Sequence, residues 1–369
     1  MTEPRPAEAG APSLRAFALY FLRLGALGFG GPVALANAMR RDLVDGRGWL
    51  TAEEYEDGLA LAAACPGPLA YQLAVYCGYI RFGIAGAFAV AIAFALPPFV
   101  LVVAAAALYR SFENTQALRA LFYGIAPAIV AIIGKACWNL GRRTLKSDVR
   151  AWSFAAIACA IVVIEERELA LLFVAAGLIG VFVFSVGRRA SSRVVMGISP
   201  QLFLFFFKTG LLVFGSGLVI VPFLKSQVVD QYHWLTNRQF LDSVAIGMIS
   251  PGPVVITATF VGYLLAGFIG AVAATAGIFS PPVLFVLIAT PLLRRYRQSR
   301  FVAGFIRGVG SAVVGVLVAT TWLIARTAVV DLPTLGIAAV ALLVIAATRT
   351  PEPAVIATAG VIGLLLSLN

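Results

Sequence analysis

Histidine occurs once, at His233, and the chain contains neither a His-Glu-x-x-His nor a Gly-x-Ser-x-Gly string. An enzyme embedded in a membrane would still need a nucleophile, a general base or a metal cluster. The sequence supplies none, so it reads as a non-enzyme with no cofactor and no metal. Cysteine is equally sparse. Cys65, Cys77, Cys137 and Cys159 stand singly in apolar runs, without the spacing of a zinc site or a disulfide framework, and read as small hydrophobes. Charge is the third scarcity: 12% of residues are charged against 61% apolar, with a mean hydropathy of +0.95. A soluble domain has no interior for that much apolar surface, which predicts an all-α polytopic membrane protein embedded in the lipid bilayer.

Acidic residues are the scarcer sign, 17 against 28 Lys and Arg, for a formal charge of +11. Basic loops kept in the cytoplasm account for such an excess, as does contact with anionic lipid; the functional reading is attraction of an anionic solute. The positive charges sit in short loops between apolar runs, so no nucleic acid partner is expected. Residues 1–13 are polar and rich in Pro and Ala, without the apolar core and cleavage site of a signal peptide, and are expected to form a disordered tail.

What the chain does have is one unit written twice. Gly25, Phe29-Gly30-Gly31, Trp49-Leu50-Thr51, Asp57, Pro66-Gly67-Pro68, Gly78-Tyr79, Gly83, Gly86 and Pro97-Pro98 mark the first copy. Gly210, Phe214-Gly215-Ser216, Trp234-Leu235-Thr236, Asp242, Pro251-Gly252-Pro253, Gly262-Tyr263, Gly267, Gly270 and Pro281-Pro282 mark the second. The offset is 234 − 49 = 185 and slips once, to 262 − 78 = 184. The units are set at 14–190 and 201–369, joined by a linker at 191–200. His233 stands opposite Gly48 and receives no role.

Each half holds six apolar runs, including 58–80 and 240–264. Arg142, Arg143, Lys146 and Arg150 mark a cytoplasmic loop, and so do Arg294, Arg295, Arg297 and Arg300. The latter corresponds to 110–119, which counts as external, so equivalent loops face opposite sides and the repeats are inverted. Inversion needs an odd number of crossings. The first run of each half, broken at Gly28 to Pro32 and at Gly215-Ser216-Gly217, is therefore taken as a re-entrant hairpin. The expected fold is two inverted-topology repeats with about ten spans plus two re-entrant broken hairpins, and an external N-terminus.

Phe29-Gly30-Gly31-Pro32, the two Pro-Gly-Pro triplets, Gly78-Tyr79 with Gly83-x-x-Gly86, and the Pro-Pro pairs resemble the chromate ion transporter family in its long two-domain form. The resemblance covers nearly the whole chain. It implies a bacterial inner-membrane, multi-pass secondary transporter that exports chromate and confers chromate resistance, with sulfate as a related oxyanion. The second half departs from the pattern, since Gly217 is not followed by proline until Pro222.

The residues support an anion carrier on their own terms. Glycine permits backbone shapes closed to other residues, and proline removes an N–H and frees a carbonyl. Helices restarting after Gly28, Gly30, Gly31 and Pro32, after Pro66, Gly67 and Pro68, after Gly215, Ser216 and Gly217, and after Pro251, Gly252 and Pro253 would offer N–H groups to a tetrahedral oxyanion. A single such break is otherwise only a kink. Arg23 and Lys208 are equivalent (23 + 185 = 208) and read as anion ligands facing a cavity or as snorkelling side chains. Asp57 and Asp242 are candidates for proton coupling, with helix capping the favoured alternative. Asn37, Gln72, Ser250, Thr257 and Thr259 are polar neighbours of the breaks and candidate hydrogen-bond donors. Gly83-x-x-Gly86 and Gly267-x-x-Gly270 are assigned to close helix packing. A sulfate carrier and an anion channel remain the rival functions, and a homodimer is one candidate assembly.

Overall fold

The computed structural model describes residues 12–29, 31–113, 115–145, 148–165, 198–212, 214–215, 220–296, 300–348 and 350–367. The expected tail up to residue 11, the break residues Gly30, Ser216 and Gly217, and linker residues 191–197 lie outside the described residues. The first half comprises α1 (Leu14–Leu27), α2 (Gly31–Met39) continued by a π-helical stretch (Arg40–Gly46), α3 (Ala52–Ala64), β1 (Gly67–Pro68), α4 (Leu69–Phe112), α5 (Gln116–Thr144) and α6 (Val149–Glu165). The second comprises α7 (Ile198–Leu212), β2 (Phe214–Gly215), α8 (Ile220–Leu224) with its own π-helical stretch (Lys225–Gln231), and α9 (Asn237–Ile249). A single 3-10 turn (Val254–Ile256) then leads into α10 (Thr257–Tyr296), followed by α11 (Arg300–Ala328), α12 (Leu332–Ala347) and α13 (Glu352–Leu366). Three helical stretches, Leu69–Phe112, Gln116–Arg142 and Val254–Pro291, are long and apolar enough to cross a membrane, with shorter apolar helices beside them. This is an all-α membrane protein.

Two of those long helices are folded back on themselves. Gly83 (φ 62°, ψ −149°) and Gly267 (φ 60°, ψ −150°) interrupt α4 and α10. This left-handed geometry comes to glycine without strain. A methyl built on Gly78 would collide with the Gly86 carbonyl oxygen, and one on Gly262 with that of Gly270. In a straight helix, residues eight apart are about 12 Å apart. Residues 69–81 therefore pack antiparallel against 84–112, and 257–265 against the helix after Gly267. The remaining long arm, 84–112, extends about 43 Å, enough to cross a bilayer.

The sequence counts 58–80 and 240–264 as one crossing each and expects a break at each Pro-Gly-Pro; the structure places breaks at both triplets. Pro66 and Pro68 have no N–H to continue a helix, Gly67 takes φ 141° and Gly252 φ 89°. Gly58 then faces the Tyr76 ring, so α3 and the start of α4 form a second hairpin. The α1–α2 pair folds back too. Tyr20 donates its hydroxyl to Asp42 at 3.0 Å, Arg47 lies over the Tyr20 and Trp49 rings, and Phe17 meets both Trp49 and Phe82 at 5.5 Å. The start of α1, the loop before α3 and the turn at Phe82 thus share one end of the molecule.

The second half repeats these local details. Arg47 N–H donates to the Asp42 carbonyl and Tyr232 to Gln227; Trp49 donates to Leu43 and Trp234 to Val228. Phe205 of α7 packs on Tyr232 and Trp234. Gly48 has φ 59° and His233 φ 50°, the one described non-glycine residue with positive φ. The lone histidine is a turn residue. Thr51 and Thr236 each close a capping box, with Glu54 and Gln239. Only an acceptor oxygen is needed in that box, and Gln239 uses its remaining amide N–H on Glu113 at 2.6 Å.

That contact joins the halves at the other end of α4. Tyr109, far along α4 from Phe82, donates to Asp242 at 2.6 Å, close to the start of α9. Arg119, Tyr123, Arg238, Asp242 and Thr327 line a cavity of about 350 Å³ there. Tyr123 also donates to Asp331 at 2.5 Å. That bond, with the Thr334 N–H and hydroxyl, holds the exposed Asp331 carboxyl below its usual range.

Lys135, a cation inside the apolar run of α5, donates to the Ile345 carbonyl at the end of α12 and lies in the field of Glu352 at the start of α13. A cation suits a helix C-terminus, so this lysine staples helices together. Lys135→Met is expected to lower the melting temperature by a few degrees, from loss of about 1–3 kcal/mol, with transport per folded molecule unchanged. Thermal unfolding in detergent checks this, and an unaltered melting temperature would refute the staple.

Candidate functional site

The breaks of one half meet the breaks of the other. Gly67 and Pro68 pair in parallel with Phe214 and Gly215, Gly67 opposite Phe214 and Pro68 opposite Gly215. The Gly252 N–H donates to the Gly28 carbonyl at 3.1 Å. Each contact thus joins a Pro-Gly-Pro triplet to the glycine break of the opposite half. The physical cause is the need of unwound backbone in an apolar interior to find partners, which prolines inside the break cannot donate. The starts of α2, α4 and the 3-10 turn leading into α10 lie at these breaks, and helix starts carry partial positive charge and uncommitted N–H groups.

Of the sequence-marked residues, Gly28, Gly67, Pro68, Pro251 and Pro253 are buried, while Gly31, Pro32, Pro66 and Gly252 are half-buried. The structure brings Gly67 and Pro68 to Phe214 and Gly215, and Gly252 to Gly28, through the backbone. It also ranks the polar neighbours, which the sequence leaves unranked. Asn37 is exposed, Ser250 bonds the Gly247 carbonyl, and Thr259 bonds Thr275. Thr257 is buried and bonds Val254. Gln72 touches the break directly: its Nε2 donates to the Pro66 carbonyl at 2.6 Å, and its Cδ lies 2.6 Å from where a Gly67 Cβ would stand.

Arg23 and Lys208 are exposed. Arg23 shares its helix face with Leu19 and Leu27, Lys208 with Leu204 and Leu211, all exposed. Among the described residues neither makes a hydrogen bond or ion pair. Each sits nine or ten residues into its helix, about 14 Å from its start and four residues, about 6 Å, from its other end.

Asp57 is half-buried on α3 and Asp242 is buried on α9. Neither caps its helix, as the sequence favours, because Thr51 and Thr236 hold those positions. Asp242 instead accepts from Tyr109 of the first half and lies 3.8 Å from Arg238. Among the described residues no group of three or more His, Cys, Asp or Glu is placed to hold a metal.

The chromate transporter family model matches residues 15–181 and again 200–364. The chain belongs to the chromate transporter family. It is 40% identical to a chromate transport protein of Cupriavidus metallidurans, over 99% of this chain and 98% of that one. It is 37% identical to a probable chromate transport protein of Synechococcus elongatus, over 96% of each, and 33% identical to a chromate transport protein of Pseudomonas aeruginosa, over 91% and 86%. No solved structure matches it. The transporter is therefore a multi-pass membrane protein and not an enzyme.

Proposed function

We propose that this transporter carries chromate out across the cytoplasmic membrane by alternating access, with the crossing of the breaks as its binding region. The observation that carries the reading is the exchange of partners between halves: Gly67-Pro68 with Phe214-Gly215, and Gly252 with Gly28. Interrupted helices meeting at the interface of two repeats are where secondary transporters bind substrate. A two-residue pairing and one hydrogen bond are also few enough contacts to exchange as one half rocks on the other.

Inversion of the repeats is part of the proposal. In its support, the first-half hairpins open at the end holding Phe17, Trp49 and Phe82. Those of the second half start beside Tyr109 and Glu113, at the opposite end of α4. Taking 142–150 as cytoplasmic puts the Phe82 end in the cytoplasm, two crossings back. The sequence count puts the N-terminus outside because it takes 58–80 as a crossing; reading α3 and the start of α4 as a hairpin that enters and returns puts it inside.

With the cytoplasm negative, each elementary charge leaving is worth about 2.3 kcal/mol per 100 mV, so export needs no proton coupling, although Asp57 and Asp242 remain its candidates. A cation within an apolar helix is costly unless it meets water or an anion, which supports Arg23 and Lys208, each one turn before a break, as ligands along the path. In inside-out vesicles under an inside-positive potential, saturable chromate accumulation is expected. Arg23→Ala and Lys208→Ala are expected to reduce its rate about 10- to 100-fold, the weight of one charged hydrogen bond. No accumulation above empty vesicles would sink electrogenic export. Unchanged rates in both variants would leave the helix dipoles alone to hold the anion. Excess sulfate tests the rival substrate, and a rate that never saturates would indicate a channel.

A further inference from the structure

We infer that the species bound at the breaks is the singly protonated oxyanion, and that Gln72 accepts a hydrogen bond from its hydroxyl. The inference rests on the crossing of the breaks being the binding region. Gln72 is wholly buried, one turn into α4, with its amide turned toward Pro66 and Gly67. An amide's oxygen and nitrogen are assigned by their partners. Here the partner is the Pro66 carbonyl, which can only accept, so the nitrogen must face it. Turning the amide over would set two oxygens against each other. The oxygen Oε1 is then fixed as an acceptor, and it is buried with no donor among the described residues.

Buried polar groups in native proteins have partners, so an orphan acceptor at a binding region points to a donor that arrives with the ligand. The backbone at this crossing offers N–H groups, which suit bare oxygens. One acceptor among them repels a ligand made only of lone pairs and fits one that carries an O–H. Thr257, five residues after Gly252 as Gln72 is five after Gly67, donates its hydroxyl proton to the Val254 carbonyl and has only lone pairs left to offer, so the equivalent position of the second half is an acceptor too. Charge points the same way. Gly28, Pro66, Gly67, Pro68, Phe214, Gly215, Pro251, Gly252 and Pro253 are all uncharged, and the desolvation cost of an ion grows with the square of its charge. A monoanion thus costs about a quarter of what a dianion does in the same idealised treatment.

The consequence is selectivity. The second ionisation of chromate lies near neutral pH, so a hydroxyl-bearing form is at hand, whereas sulfate loses its second proton in strong acid. A site with an obligatory acceptor rejects the analogue that cannot donate. The test is competition against chromate uptake in proteoliposomes of the full chain, with sulfate as the unlabelled rival, for the wild type, Gln72→Met and Gln72→Glu. Gln72→Met should raise the chromate KM and lower the sulfate-to-chromate ratio of inhibition constants about tenfold. Gln72→Glu, whose carboxylate repels a dianion, should move that ratio the other way.

A raised KM with an unchanged ratio in both variants would overturn the inference and leave Gln72 as a prop for Pro66, its oxygen met by water. Gly252→Ala separates this from failure of the underlying reading. Wild-type uptake in that variant would refute the crossing as the binding region, whereas uptake lost there with the Gln72 ratios unmoved would refute the hydroxyl alone.

Discussion

Gly67→Ala and Gly252→Ala each lower chromate transport at least about 100-fold while the protein still reaches the membrane. The expectation follows from where the two glycines stand. Gly67 has φ 141° and Gly252 φ 89°, and a side chain at such angles costs about 1–2 kcal/mol. An added Cβ at Gly67 lies 2.5 Å from the Gln72 amide, and one at Gly252 lies 3.2 Å from Pro98. Each break can shed that strain by pulling away from its partner, Phe214 in one case and Gly28 in the other. Separation of the breaks leaves the helices folded and removes the place where the halves meet. A hundredfold is about 2.7 kcal/mol of activation energy, comparable to the strain and the lost pairing together. Initial rates in inside-out vesicles, normalised to transporter content, measure it. Rates within about twofold of wild type would mean that the crossing is only structural.

Much of this arrangement is legible in the sequence, because special backbone geometry demands special residues. Gly83 and Gly267, Gly67 and Gly252 stand out by recurrence, and each adopts positive φ. The second hairpin of each half is harder to see. Hydropathy cannot tell an apolar run that crosses from one that enters and returns, and only the prolines at 66 and 68 separate the two. The helix caps are legible too: Thr51-x-x-Glu54 and Thr236-x-x-Gln239 are capping-box strings, a stronger capping signal than Asp57 or Asp242. The pairing of Gly67 with Phe214 is beyond reading, since nothing local in either segment names a partner nearly 150 residues away. Gln72 likewise stays one polar residue among several until Pro66 is seen to fix its orientation.

Gly78→Leu and Gly262→Leu should abolish folding, the largest stability effect expected anywhere in the chain. At both positions two helix backbones touch. The space a side chain would need is taken by the carbonyl group of Gly86 in one hairpin and of Gly270 in the other, with Val90 and Ala274 close behind. Overpacking a flexible side chain costs about 1–3 kcal/mol. Backbone cannot swing aside as a side chain does, so the hairpin must open, and with it the placement of the Pro-Gly-Pro triplet at its other end. Losses beyond about 4–5 kcal/mol are exceptional and consume much of a native protein's margin. Gly83→Ala supplies the contrast, since that glycine has open space around its would-be Cβ and only the φ of 62° to oppose substitution. It should cost about 1–2 kcal/mol and stay folded, a few degrees less stable. Monodisperse yield in detergent and the melting temperature distinguish the cases. A Gly78→Leu variant melting within a couple of degrees of wild type would mean that the two arms of α4 do not press together, and that the chain crosses the membrane there unbent.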